Sequence, residues 1–180
     1  CDANWREKLD ELTSLHETVV RELFGDDDQQ EPAGWLSGMM SELGDVLHGI
    51  SLLRELSDKS LALVLSYGEC LSAWIVARYL RSSGIEATMV DARESIVTDT
   101  NHCYAKVDVS STEKLIRERI RPQQEVPVVT GFIASATDGS VTNLGRGGSD
   151  YTATLIGSAL HADEVWIWTD VDGFFSADPR

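Results

Sequence analysis

The sequence predicts an α/β layered fold with a largely parallel sheet. Three observations carry this reading: two long amphipathic stripes in the first third, a switch after Gly84 to short β-branched runs, and helical stretches between those runs. Strands separated by helices are joined by crossovers, which favour parallel pairing. The chain has 180 residues, 42% hydrophobic and 25% charged, which is an ordinary globular composition. Such figures exclude a disordered, collagen-like or disulfide-stapled chain. No apolar run approaches the ~18 residues that span a bilayer, so no membrane partner is expected.

Trp5, Leu9, Leu12, His16, Val19 and Leu23 recur every three or four residues and mark one face of a first helix, ended by Gly25. His16 on that stripe reads as a core-edge histidine rather than a catalytic one. Residues 26–32 are an acidic loop; Asp26, Asp27 and Asp28 lack the Gly and distal Glu of a calcium loop. Leu36, Met40, Leu43, Leu47, Ile50 and Leu53 form a second stripe, so residues 1–56 read as a helical part built on an antiparallel pair. Residues 57–180 read as the α/β core.

In that core, Ser57-Asp58 offers an N-cap for a short helix that Gly68 breaks. Residues 71–80 form another, closed by Ser82-Ser83-Gly84. Ala87–Val90 reads as a strand and residues 102–109 as a looser one. Ser110-Ser111-Thr112 caps a helix through Ile120, closed by Pro122. Residues 126–132 are an apolar, β-branched run suited to a strand buried on both faces. Thr137-Asp138-Gly139-Ser140 is a hairpin turn, residues 148–160 are helical, and residues 164–168 complete the pattern as a strand.

Charge narrows the function classes. Fifteen Lys+Arg against thirty Asp+Glu give a formal −15, a surface that repels phosphate backbones, so no nucleic-acid partner is expected. Cys1, Cys70 and Cys103 share no metal-type spacing with His or with one another, which points to a reducing cytoplasm and no metal centre. The chain begins at Cys1 with no leader and stops at Asp178-Pro179-Arg180 just after a strand-like run. Both ends therefore read as cuts within a longer protein.

Three stretches carry chemistry. In Leu144-Gly145-Arg146-Gly147-Gly148-Ser149-Asp150, the glycines fall at a helix N-terminus, where free N–H groups and a partial positive charge suit an anion. Gly147 and Gly148 permit close backbone approach, and Arg146 can grip a carboxylate or phosphate with two parallel hydrogen bonds. Ser149 and Asp150 fit as N-cap and first-turn residues, which a plain Gly-rich turn would also show. The spacing matches neither the dinucleotide fingerprint nor the phosphate loop ending in Gly-Lys-Ser/Thr. Trp168-Thr169-Asp170-Val171-Asp172-Gly173 follows the last strand-like run, where ligands collect in open α/β sheets, or is an ordinary Asp-Gly turn. In Ser66-Tyr67-Gly68-Glu69, the Glu past a Gly break could bind an ammonium group or be a surface residue.

Together these stretches resemble the aspartokinases. The resemblance runs through residues 142–152, then Ile167-Trp168-Thr169-Asp170-Val171-Asp172-Gly173 and Asp178-Pro179-Arg180. Ser66-Tyr67-Gly68-Glu69-Cys70-Leu71-Ser72 is similar to the family's Ser-Phe-Gly-Glu-Arg-Leu-Ser, with Tyr67 for Phe and Cys70 for Arg. Val90-Asp91-Ala92-Arg93 and Val97-Thr98-Asp99 fall where the family has a similar stretch. It covers roughly residues 47–180.

The resemblance implies a three-layer αβα sandwich around a mainly parallel sheet, truncated here at both ends, with residues 1–180 part of a catalytic domain. It implies transfer of the γ-phosphoryl group of ATP, with Mg²⁺, to the side-chain carboxylate of L-aspartate. By motif, Glu69 would hold the substrate ammonium and Arg146 its α-carboxylate, with Ser149 assisting. Asp150 would organise the transferring phosphoryl group, beside the anion loop of Gly147 and Gly148. Thr169, Asp170, Phe175 and Arg180 would line the nucleotide site, Phe175 standing where the family often has Tyr. The family's opening Lys-Phe-Gly-Gly-Thr-Ser segment has no counterpart around Lys8, Lys59, Lys106 or Lys114, so the chain by itself is expected to be inactive. A homodimer of the full-length protein is left open. Two alternatives stand beside this reading: another amino-acid kinase with a different acceptor, and a non-catalytic module that kept the substrate pocket.

Overall fold

The computed structural model describes residues 4–25, 30–120 and 125–168. Three helices come first: α1 (Trp5–Phe24), α2 (Gln30–Leu53) and α3 (Asp58–Ser82). The first two form an antiparallel hairpin laid against α3. Val20 and Phe24 of α1 meet Leu36, Met40 and Leu43 of α2 and Leu71 of α3 in one buried cluster. The buried face of α1 therefore runs through Leu9, Val20 and Phe24, one position away from part of the expected stripe: Leu12 and Leu23 stay 36% and 37% exposed. The α2 stripe holds through Leu47 and then fails at Leu53, 78% exposed at the helix end. Trp35 of α2 stacks on Trp74 of α3, with centroids 4.2 Å apart and planes within 3°. His16 is partly buried, its Nδ1 donating to the Leu12 carbonyl at 2.8 Å.

The expected helix break at Gly68 does not occur; α3 runs unbroken through it. A mid-helix Gly costs ~1 kcal/mol relative to Ala, and packing on both sides of α3 outweighs that. Ser57 caps the helix as expected, its hydroxyl accepting from the Ser60 N–H at 3.2 Å. Unbroken, α3 is long and apolar enough to cross a membrane by length and composition, with a mean hydropathy of 1.5, contrary to the expectation that no such run exists. Its apolar character has a local cause: α3 packs on α1 and α2 on one side and on the strands that follow it in the chain on the other.

Beyond Gly84 come β1 (Ala87–Val90), a 3₁₀ turn at Ala92–Glu94, β2 (Val97–Thr98), α4 (Val109–Arg119), β3 (Val126–Val129), β4 (Ile133–Ala136), β5 (Val141–Asn143) and α5 (Gly148–Leu160). β1 pairs in parallel with β3, and β2 with β4. β5 returns antiparallel to β4 through the Asp138-Gly139 turn. Val90 lies opposite Val129 and Val97 opposite Ser135, so seven steps on one path match six on the other. The 3₁₀ turn takes up the extra residue. Ile133 and Ala134 point to opposite faces of β4 and are both 0% exposed, so the sheet is covered on both sides. Cys70 of α3, Ile116 of α4 and Ile120 at its C-cap, and Leu155 and Ala159 of α5 close around it. The strands form two sheets, β1-β3 and β2-β4-β5, with two of the three pairings parallel, and with helices around them this is an α/β fold, as expected.

Four local expectations are corrected. β3 is only partly buried and ends at Val129, because Phe132 takes φ +69°; the strand buried on both faces is β4. Residues 102–109 form no strand beyond one bridge between Val107 and Thr98. The cap of α4 is Asp108, which accepts from Ser111, while Thr112 is buried and bonded to the Val97 backbone. Residues 164–168 form no strand and have no strand partner among the described residues, and Trp166 and Trp168 are 71% and 87% exposed. The triple aspartate at residues 26–28 and Pro122 lie outside the described residues.

Candidate functional site

The site is built where β5 turns into α5. Asn143 ends β5 buried, and its side-chain oxygen accepts from the Gly145 N–H at 3.2 Å and the Tyr104 N–H at 3.5 Å. That pins both arms of the turn. Gly145 takes φ +74° directly beneath the Tyr104 ring, whose Cδ1 would clash with a Cβ placed there. Tyr104 itself holds φ +59°, an unusual conformation for an aromatic residue. The Gly148 N–H closes the turn on the Gly145 carbonyl at 2.9 Å.

Gly147, at φ +71°, is the N-cap of α5 and has no side chain to cap with. Ser149 and Asp150 are thus the second and third residues of the helix: Ser149 lies two positions past the N-cap place expected for it, and Asp150 stands in the first turn as expected. The Gly147 carbonyl accepts from Tyr151, so the first intrahelical bond is made while the Ser149 and Asp150 N–H groups are left without an intrahelical partner. The N-terminal end of the helix dipole adds a partial positive charge there. Arg146, Ser149 and Asp150 are all exposed on this turn, and Arg146 makes no ion pair with the described residues.

A second arm comes from the bend between β3 and β4. Thr130 is buried and accepts from the Ala92 N–H at 2.8 Å. Phe132 donates its N–H to Thr152 Oγ1 at 3.2 Å, which ties the bend to α5. Between them, Gly131 lies against Ser149: a Cβ there would meet Ser149 Cβ and Oγ at 2.9 Å and its Cα at 3.1 Å. Only hydrogen fits.

The third arm is α3. Glu69 is half-buried, and burial raises its carboxyl above the usual range, partly offset by the Gly131 backbone N–H. Gly131 is therefore the hinge point of the site, touching Ser149 on one side and facing Glu69 on the other. Cys70, next along, is buried, and burial pushes its thiol up, against the lowering effect of Arg93. Such a thiol is not an activated nucleophile.

Of the residues singled out from sequence, the structure brings Glu69 and Ser149 together across Gly131 and places Arg146, Gly147, Gly148 and Asp150 on the same helix mouth. Thr169, Asp170, Phe175 and Arg180 lie outside the described residues. Sequence reasoning missed Gly131, Tyr104 and Asn143. The Gly interrupting a β-branched run at residues 126–132 is the one signal that could have found the first; nothing local marks the other two. Among the described residues there is no group of three or more His, Cys, Asp or Glu placed to hold a metal ion.

This geometry has relatives. The chain is 39% identical to aspartokinase 1, chloroplastic, of Arabidopsis thaliana over 96% of its length and 30% of the relative's. It is 31% identical to lysine-sensitive aspartokinase 3 of Escherichia coli, over 97% of the chain and 38% of that protein. Among solved structures, E. coli aspartokinase III in complex with aspartate and ADP superposes with a TM-score of 0.89 at 28% identity, over 99% of this chain and 40% of that one. The aspartate kinase of Clostridium acetobutylicum gives 0.67 at 27% identity, over 97% and 35%. The chain thus spans about a third of the length of the relatives it matches. Residues 9–180, all but the first turn of α1 in the described part, match the amino acid kinase family, and with the α/β architecture and the glycine-lined mouth of α5 in agreement, this chain belongs to that family.

Proposed function

We propose that this chain is the acceptor-binding part of an aspartokinase, which phosphorylates the side-chain carboxylate of L-aspartate with ATP to give 4-phospho-L-aspartate, the first step towards lysine, threonine and methionine. The observation that carries this reading is the convergence of Glu69, Gly131 and Ser149 at the open N-terminus of α5, beside an Arg146 that no described carboxylate occupies. Aspartate bears one ammonium and two carboxylates. A half-buried carboxylate set apart from a guanidinium can orient such a molecule, and an acceptor without those charges would need neither.

In this reading, Glu69 binds the ammonium and Arg146 grips the α-carboxylate in a bidentate pair, with the Ser149 hydroxyl as a further donor. The side-chain carboxylate is then directed at the helix mouth, where N–H groups without an intrahelical partner and the dipole stabilise negative charge on the transferring group. Phosphoryl transfer depends on positioning and charge stabilisation more than on covalent help. Mg²⁺ usually takes one or two carboxylates together with substrate phosphates, and Asp150 is the carboxylate this turn offers it. Thr169, Asp170, Phe175 and Arg180 are the residues we assign to the nucleotide.

The test is Arg146→Ala in the full-length protein. Aspartate use should weaken by more than ~10-fold in kcat/KM through loss of a charge-assisted bidentate contact, with the KM for ATP little changed. Unchanged kinetics toward aspartate would refute the assignment.

A further inference from the structure

Arg93 is built into the fold in an unusual way. It lies in the 3₁₀ turn between β1 and β2, and its side chain is only 29% exposed. Its Nε donates to both carboxylate oxygens of Asp91 at 2.9 Å, and Nη2 donates to Asp91 Oδ2 at 2.5 Å. The Arg93 backbone N–H donates to Asp91 Oδ1 at 2.9 Å as well. The guanidinium is thus fixed in plane by a residue two positions before it. Its remaining edge is turned to α3, where Nη1 reaches Ser66 Oγ at 3.4 Å and Nη2 reaches Cys70 Sγ at 3.5 Å.

Ser66 and Cys70 are one helical turn apart, and Glu69 belongs to that turn. On its other side, the same 3₁₀ turn is tied to the β3–β4 bend: Ala92 N–H donates to Thr130 Oγ1 at 2.8 Å, and Thr130 N–H donates to the Val90 carbonyl at 3.1 Å. Gly131, next to Thr130, faces Glu69. The contacts form a closed circuit from α3 through Arg93, Ala92, Thr130 and Gly131 to Glu69 and back to α3. A half-buried ion pair is weak evidence for stability, since apolar residues of similar volume often do as well. What this pair adds is a fixed spacing between the α3 turn and the backbone that Glu69 faces.

We propose that Arg93 is a positioning residue for Glu69, holding the α3 turn at the distance from Gly131 that the ammonium subsite requires; this rests on the acceptor site described above. The experiment uses the full-length protein with three variants: Arg93→Met, Arg93→Lys, and Ser66→Ala/Cys70→Ala. The last cuts the link to α3 and leaves both charges of the Asp91–Arg93 pair in place. Expected are a rise of about tenfold in the KM for aspartate in Arg93→Met and the double variant, a KM for ATP within about twofold, and partial rescue in Arg93→Lys. Equal losses on both substrates, or an unchanged KM for aspartate in the double variant, would overturn the proposal. A second readout does not need turnover: titration of the Glu69 side chain by carbon-13 NMR, assigned with Glu69→Gln. In the double variant its midpoint should fall back toward the ordinary carboxylate range as the side chain swings to water, and an unmoved midpoint would overturn the proposal. If the wild-type protein shows no aspartate-dependent turnover, the acceptor reading fails and the titration still decides the role of Arg93.

Discussion

The turn at residues 145–148 and the run at residues 164–168 flank the same helix, α5, and sequence alone makes a case for structure in both. In the fold they part company. The turn is held by Asn143 from below, by the Tyr104 ring from above and by Gly131 and Phe132 from the side. The run is as β-prone as any strand here, yet it finds no partner among the described residues, and its two tryptophans face solvent. Hydrogen bonds inside a turn are local, so a glycine-rich segment settles its own geometry with a few neighbours. A strand exists only when a second strand is beside it, and β-propensity measures fit to a half-buried surface that this run does not have.

Three substitutions sharpen or break that contrast. Gly131→Ala should have the largest effect, because its Cβ meets Ser149 at 2.9 Å and the Ser149 backbone at 3.1 Å, so α5 must move. Overpacking of this kind costs ~1–3 kcal/mol, measurable by urea unfolding, and a loss below about 0.5 kcal/mol would show that the turn is not tightly held. Glu69→Gln comes next. Burial raises the Glu69 carboxyl above 4.5, so the native protein loses stability as pH rises from that value through the raised one, while the Gln variant does not. The variant should therefore melt higher than the wild type at pH 7–8, and the gain should vanish below pH ~4. Equal melting temperatures at both pH values would mean that Glu69 is not desolvated. Trp168→Ser should change least, within about 0.5 kcal/mol, since the ring is 87% exposed. A larger loss would show that something covers the run in solution.

Much of the fold was legible because it is written in local signals. Ser57 at a helix start, Ser83 and Gly84 at its end, and Asp138-Gly139 in the hairpin each act within four residues, and each stands where the sequence puts it. The misreadings share a cause. Gly68 looks like a break until one sees that α3 is packed on two sides, and Asp108 displaced the serines as cap because Thr112 was wanted inside against Val97. Of the site, Arg146, the glycines and Ser149 could be picked out because they are contiguous. Gly131, Tyr104 and Arg93 could not, since their roles depend on neighbours 18 residues or more distant along the chain, with Gly131 facing Ser149, Tyr104 covering Gly145 and Arg93 reaching Cys70 and Ser66.

The parallel stack of Trp35 on Trp74 makes the molecule its own optical gauge. Two indoles 4.2 Å apart and within 3° of coplanar orientation share their excited states, so they absorb as a coupled pair rather than as separate chromophores. That coupling exists only while α2 lies on α3, and the exposed Trp166 and Trp168 do not take part in it. The ultraviolet signature of the stack therefore reports the docking of α2 on α3, with no label attached.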